Sequence, residues 1–127
     1  MLESLSITRM AQALAEHAAA RLDLIARNVA QADTPGYKAM DLPDFGTVYQ
    51  DSAEGGMRAT RPGHFTSGMI ASTPVPQPTR GEAAPDGNTV SIEKEMVKSA
   101  QVRQDHDMAL AVYGSARDIL RASLGRK

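Results

Sequence analysis

The sequence predicts a mainly α-helical protein whose two long helices, one at each end of the chain, pair as a coiled-coil-like hairpin. Apolar residues recur every three or four positions in both terminal regions, which is the period of a helix with one apolar face. The middle of the chain is rich in proline and glycine, and proline cannot continue a helix. We therefore expect an N-terminal helix over residues 1–33, a turn and an irregular segment over 34–89, and a C-terminal helix over 90–127.

The N-terminal helix is predicted from one unbroken apolar stripe. Ser4 or Ser6 is suited to cap its start, and no proline or glycine interrupts the pattern before Pro35. The stripe consists of Ile7, Ala11, Leu14, Ala18, Leu22, Ile25, Val29 and Ala32. Several of these side chains are small, so a second helix can approach this backbone closely.

The C-terminal helix is expected to begin after the N-cap Ser91, with Glu93 and Glu95 in its first turn, where the helix dipole favours anions. Gly125 suits its end. Two apolar stripes follow its period. The first contains Val97, Ala100, Met108, Ala111, Ile119 and Ala122, with Gln104 and Ser115 as polar interruptions, and the second contains Ala109, Tyr113, Ala116, Leu120 and Leu124. The N-terminal helix can cover one stripe, and a second chain can cover the other. The alternative is that the middle segment of the same chain covers this second stripe.

The middle segment holds five of the seven prolines, between Pro62 and Pro85. Such a composition favours extended or disordered chain. Short strands are expected at residues 46–49 and 68–71.

Two turns flank this segment. Thr34-Pro35-Gly36-Tyr37 predicts a type II turn, because proline fixes φ at the first central position and glycine accepts the positive φ of the second. Asn28 and Asp33 have short side chains suited to holding nearby backbone amides. Residues 86–88, Asp-Gly-Asn, form the second turn signal.

Composition excludes several function classes. The chain has 127 residues, enough for one modest domain, and a formal net charge of −1 gives no electrostatic reason to bind nucleic acid. It has no cysteine, which removes disulfides, thiol nucleophiles and cysteine-based metal sites. Aromatic residues make up only 4% of it, so the core is thin and a partner surface is expected.

No catalytic, cofactor-binding or metal-binding residues are predicted. His17, His64 and His106 are far apart and lack metal-ligand spacing. No phosphate-binding loop or nucleophile motif occurs, which argues against an enzyme. We expect neither membrane insertion nor a cleaved signal peptide, because no long apolar run is present.

The string from Asn28 to Asp41 resembles the N-terminal signature of the flagellar axial proteins, the rod and hook family. Residues 86–90 and 93–96 resemble a second signature of that family, which opens its C-terminal helix, and residues 60–65 are similar to a looser stretch. Met40 and Ser91 depart from the more usual Arg and Asp. The assembly motif identified in this way consists of Asn28, Asp33, Thr34, Pro35, Gly36, Tyr37, Lys38, Asp86, Gly87 and Asn88.

The resemblance implies a structural subunit of the proximal rod, the part of the flagellar drive shaft that carries torque from the MS ring towards the distal rod and hook. It implies contacts with other copies of the chain, with rod proteins such as FlgC, with a FliE-like adaptor and with the MS-ring protein FliF. It also implies export of the uncleaved chain through the flagellar type III apparatus to the periplasmic rod. The alternatives are another rod subunit, such as FlgC, and a helical adaptor or export chaperone that does not polymerise.

Overall fold

Two long helices dominate the computed structural model, which describes residues 2–54 and 74–125, with side chains over 5–51 and 74–125. The elements in chain order are helix α1 (Leu2–Ala30), strand β1 (Met40–Asp41), helix α2 (Phe45–Glu54), strand β2 (Gln77–Pro78) and helix α3 (Ile92–Ser123). The prediction of a mainly helical chain with long terminal helices is confirmed. The expected strand at 68–71, the stretch 60–65 and His64 lie outside the described residues.

Helices α1 and α3 pack against each other in opposite directions. Asn28, near the end of α1, contacts Glu95, near the start of α3, at 3.0 Å, while Ala11 and Ala109 line one pocket towards the other ends. Apart from His17 and Asn28, the buried positions of the two helices recur every seven residues. They are Ala11, Ala18 and Ile25 on α1 and Glu95, Val102, Ala109 and Ala116 on α3. This spacing is typical of a coiled coil, and supercoiling of the pair stays a prediction.

The predicted stripe of α1 is largely the face that packs on α3. Ala11, Ala18 and Ile25 are buried, and Leu14 and Leu22 are half-buried. Ile7 and Val29, at the two ends, are each 42% exposed. The helix begins at Leu2, so Ser4 and Ser6 lie inside it and the expected cap is wrong.

The stripe of α3 that packs on α1 is the one with Ala109 and Ala116. Val97, Met108 and Ile119 are 60%, 53% and 66% exposed, and Ala100 and Ala111 are exposed as well. These five residues therefore do not pack on α1, and their packing between helices stays a prediction about neighbouring subunits. Periodicity defines both faces of α3, but only the contact with α1 decides which one is covered. The N-cap prediction is confirmed, because Ser91 Oγ accepts a hydrogen bond from Lys94 N at 3.4 Å.

Residues 46–49 lie in helix α2, so the strand expected there is wrong. Asp44 starts the helix by accepting a hydrogen bond from Gly46 N at 3.2 Å. Phe45 and Tyr49, four residues apart, bring their rings to 5.5 Å, and Phe45 also contacts the His17 ring edge-on at 5.6 Å. A cap and an i, i+4 aromatic pair outweigh the β-propensity of this short run.

The two strands form a small antiparallel ladder. Met40 pairs with Pro78, and Asp41 pairs with Gln77. The ladder ties the chain that leaves α1 to the chain that approaches α3. Over the described part of the chain, no helix has the combination of length and apolar character that a bilayer span needs.

Candidate functional site at the elbow between the helices

The chain leaves α1 through a tight turn, and we call residues 28–41 the elbow. Tyr37 N donates to Thr34 O at 3.3 Å, and Gly36 has a φ of 74°. Both features are those of the predicted type II turn. Pro35 lies in this turn and is exposed. Asp33 is exposed, and the described hydrogen bonds do not include its carboxylate, so the contact expected of Asp33 is not part of the elbow.

Asn28 is the centre of the elbow and is 0% exposed. Its Nδ2 donates to Met40 O at 2.8 Å and to Glu95 Oε2 at 3.0 Å. Its Oδ1 accepts from Met40 N at 3.0 Å and from Tyr37 Oη at 3.3 Å. The amide thus makes four hydrogen bonds that join α1, the elbow and α3. The sequence predicts the contact with a nearby backbone amide but not the one with Glu95.

Asn88 follows the middle segment in the sequence, and its side chain caps the end of α1. Its Nδ2 donates to the carbonyl oxygens of Gln31, Ala32 and Thr34 at 2.9, 2.8 and 2.9 Å, and its Oδ1 accepts from Val90 N at 2.8 Å. Carbonyls at a helix C-terminus have no partner within the helix. The side chain is 3% exposed, so Asn88 is a buried cap on α1, which the turn signal alone does not reveal.

The two predicted turns contact each other through their glycines, and we call the second one, residues 86–88, the return turn. Gly36 N donates to Asp86 O at 3.0 Å, and Lys38 Nζ donates to Gly87 O at 3.0 Å. Gly87 has a φ of 84°, and a Cβ built on it lies 3.5 Å from Gly36 Cα. Only glycine adopts these dihedrals without strain. The pairing of the two turns explains why both signatures occur in one chain.

Ala39 and Thr89 extend this contact towards the strands. Ala39 N donates to Thr89 Oγ1 at 2.8 Å, and Ala39 O accepts from Thr79 N at 2.8 Å. Thr89 N donates to Tyr37 O at 3.0 Å. Ala39 is 1% exposed, which leaves little room for a larger side chain.

A clasp of charged groups covers one side of the helix pair, and it consists of Arg21, Asp41, Glu95 and Lys98. Arg21 Nε and Nη2 donate to the two carboxylate oxygens of Asp41 at 2.7 and 3.0 Å. Lys98 Nζ lies 3.2 Å from Asp41 Oδ2 and 3.0 Å from Glu95 Oε1. The clasp therefore joins α1, β1 and α3.

The ion pairs shift the pKa values of Asp41 and Arg21. Burial disfavours the charged form of Asp41, but the hydrogen bond from Arg21 and the positive charges of Arg21 and Lys98 outweigh it, so the pKa of Asp41 is lowered. The pKa of Arg21 is raised, chiefly by its hydrogen bond to Asp41. Both side chains stay ionised at neutral pH and hold the elbow on the helices.

The contacts of the elbow and the clasp are those of a structural joint. Every buried polar side-chain atom in the described ranges has a hydrogen-bond partner, and no group of three potential metal ligands occurs among those residues. His17 Nε2 lies 2.9 Å from Pro43 O, so this ring packs α2 against α1.

Two apolar surfaces remain open beside this joint. The exposed stripe of α3 consists of Val97, Met108, Ala111 and Ile119. On the other side of the buried face of α3, a groove of about 850 Å³ lies between the helices. Its apolar lining includes Leu22, Ala26 and Val29 of α1 and Met96 and Ala100 of α3. Large exposed apolar surfaces indicate sites of protein association.

Proteins with a known role are similar to this chain over most of its length. No family model matches the sequence. The chain is 34% identical over 107 residues to the flagellar basal body rod protein FlgB of Salmonella typhimurium, an alignment that covers 76% of this chain and 77% of the relative. It is 35% identical over 101 residues to FlgB of Cereibacter sphaeroides, covering 72% and 73%. It is 25% identical over 130 residues to FlgB of Agrobacterium fabrum, covering 98% and 97%.

The chain therefore belongs to the FlgB family, the structural subunits of the flagellar basal body rod.

Proposed function

We propose that this chain is a proximal-rod subunit that binds neighbouring subunits through the exposed stripe of α3 and through the groove between α1 and α3. The observation that carries the proposal is the exposure of large apolar residues on α3, with Val97 60% and Ile119 66% exposed. Apolar side chains left in water do not stabilise a protein that acts alone, whereas a rod subunit buries them between copies.

The two surfaces differ, and this difference suits an open assembly. A helical tube requires that one surface of a subunit match a different surface of its neighbour. The exposed stripe presents large side chains such as Met108. Small residues such as Ala26 and Ala100 line part of the groove, so a neighbouring helix can approach it closely.

Residues 1–33 and 90–127 would form the axial core in this proposal, and residues 34–89 would leave it through the elbow. The Asn28 and Asn88 contacts fix the elbow on the helices. Torque then passes through packed helices whose joint is held by buried hydrogen bonds, which makes the subunit stiff.

The neighbours we propose are other copies, FlgC-like rod proteins, a FliE-like adaptor and the MS-ring protein FliF. Export through the flagellar type III apparatus, as an uncleaved chain, would deliver the subunit to the periplasm. The core is consistent with this route, because it contains few large side chains and is therefore expected to unfold easily. The resemblance of the elbow and the return turn to the family signatures supports the choice of partners.

Electron microscopy of basal bodies from a strain that lacks this gene tests the proposal. We expect MS rings without a rod, and rods restored by the unaltered gene but not by one that carries Ala111→Glu. Complete rods in the deletion strain would contradict the proposal, and a helical adaptor or export chaperone would then be the better assignment.

A further inference from the structure

The apolar contacts between α1 and α3 discriminate poorly between alternative alignments of the two helices. Those contacts come from Ala11, Ala18 and Ile25 on one helix and from Val102, Ala109 and Ala116 on the other. A shift of one helix by seven residues, about 10 Å, again places alanine opposite alanine. The shift therefore changes little apolar burial.

Two buried polar residues, one on each helix, accompany this seven-residue pattern. Glu95 precedes Val102 by seven residues and is 2% exposed, and Asn28 follows Ile25 by three and is 0% exposed. Asn28 Nδ2 donates to Glu95 Oε2 at 3.0 Å. In coiled coils, a buried polar residue at a core position specifies register, because misalignment leaves it without its partner.

We propose that the Asn28–Glu95 pair sets the axial register of α3 on α1. A shift by seven residues separates the Glu95 carboxylate from the Asn28 amide, and the loss of a hydrogen bond between two buried polar groups is unfavourable. Lys98 Nζ contacts both the Glu95 and the Asp41 carboxylates, so the pair is aligned with the elbow. The register in turn determines which residues of α3 remain exposed.

Asn88 is the competing determinant, because it fixes the chain seven residues before Glu95 to the end of α1. The two possibilities differ in one consequence. If Asn88 alone sets the register, replacement of the buried pair by apolar residues leaves the alignment unchanged. If the pair sets the register, the same replacement leaves the helices packed but lets them populate more than one alignment.

Disulfide trapping in the purified full-length chain separates these outcomes, since the sequence has no native cysteine. Ala18→Cys with Val102→Cys reports the observed register, because both residues belong to one buried cluster. Ala18→Cys with Ala109→Cys reports the shift of seven residues that again places alanine opposite alanine. Both pairs are placed in the parent chain, in Asn28→Leu/Glu95→Leu, and in Glu95→Gln, which keeps an acceptor for Asn28. Circular dichroism follows the helical content of each variant.

We expect only the first pair to form a disulfide in the parent and in Glu95→Gln. In Asn28→Leu/Glu95→Leu we expect the ratio of shifted to native disulfide to rise about tenfold or more, with helical content retained. A ratio equal to that of the parent would overturn the proposal and assign the register to Asn88 and the other contacts between the two turns. Loss of helical content with neither disulfide would also overturn it, because the apolar contacts would then be insufficient for pairing.

Discussion

At the residue scale, two buried asparagines connect parts of the chain that are far apart in sequence. Asn28 joins α1 to the elbow and to Glu95, and Asn88 joins the return turn to the carbonyls that follow α1. A primary amide suits both positions because it donates and accepts at once. The elbow is therefore specified by hydrogen bonding more than by apolar burial.

Asn88→Ala is expected to destabilise the folded chain by about 1–3 kcal/mol, because three carbonyl oxygens lose the buried amide that donates to them. Urea unfolding followed by circular dichroism measures the change. Asn88→Asp is the matched comparison, since it keeps the acceptor for Val90 N but turns a carboxylate towards three carbonyl oxygens. Asn88→Asp should unfold more easily than Asn88→Ala at neutral pH, and the reverse order would contradict the role of Asn88 as a donor.

Gly36→Val is expected to lower the free energy of unfolding by about 1–3 kcal/mol and to reduce incorporation into the rod. The reason is the φ of 74°, since a Cβ at this position meets no atom within 4 Å and the penalty is backbone strain alone. Gly114→Ala is the control, because Gly114 lies inside α3 with open space around it. It should stabilise the helix by about 0.5–1 kcal/mol. Normal motility and stability of Gly36→Val would disprove the turn assignment.

At the element scale, the clasp makes the attachment of the elbow to the helices sensitive to acid. The pKa of Asp41 is lowered in the folded chain, so Asp41 binds a proton more readily when the chain is unfolded. Its stabilising contribution is therefore complete above the unfolded pKa of about 4 and is lost as the pH falls through the lower folded value. Asp41→Asn should remove this part of the pH dependence, which urea titrations between pH 2 and about 7 can measure. An unchanged profile in Asp41→Asn would show that the clasp does not contribute.

The exposed stripe of α3 makes a separate prediction about assembly. Ala111→Glu adds a charge to an exposed helix position, so the free subunit should keep its stability within about 0.5 kcal/mol. Rod assembly should stop, because the neighbouring subunit would have to bury that charge. Ala20→Glu, at an exposed position of α1, is the matched control and should still assemble. Counting rods in purified basal bodies gives the result, and intact rods with Ala111→Glu would show that this face is not an interface.

At the scale of the whole molecule, the core is too small to make the isolated subunit very stable. Five of the eight buried apolar residues of the described chain, Ala11, Ala18, Ala39, Ala109 and Ala116, are alanines. Each contributes far less apolar area than a leucine. The exposed stripe and the groove add burial only when neighbours are present, so stability and assembly are linked.

We therefore expect the isolated chain to unfold with a free energy below about 5 kcal/mol, the lower end of the range for ordinary domains. Urea titration of the monomer at neutral pH tests this expectation. Addition of neighbouring rod subunits should increase the helical content. A cooperative transition well above that free energy in the monomer would contradict the link between folding and assembly.

The sequence by itself determined the two long helices and the two glycine turns. These features depend on local chemistry, namely the helical period of apolar residues, the N-cap Ser91 and the positive φ of Gly36 and Gly87. Local chemistry also predicted a strand at residues 46–49, where the cap Asp44 and the ring pair of α2 favour a helix instead.

Only the tertiary structure decided which stripe of α3 covers α1 and what the polar residues of the elbow contact. Val102, rather than Met108 or Ile119, is buried, because seven-residue packing on α1 selects one of two apolar faces. Glu95 is a buried partner of Asn28 rather than a surface anion of the first turn, and Asn88 caps a helix that ends more than fifty residues before it in the chain. Contacts of this range depend on how distant segments meet, and no local pattern encodes them.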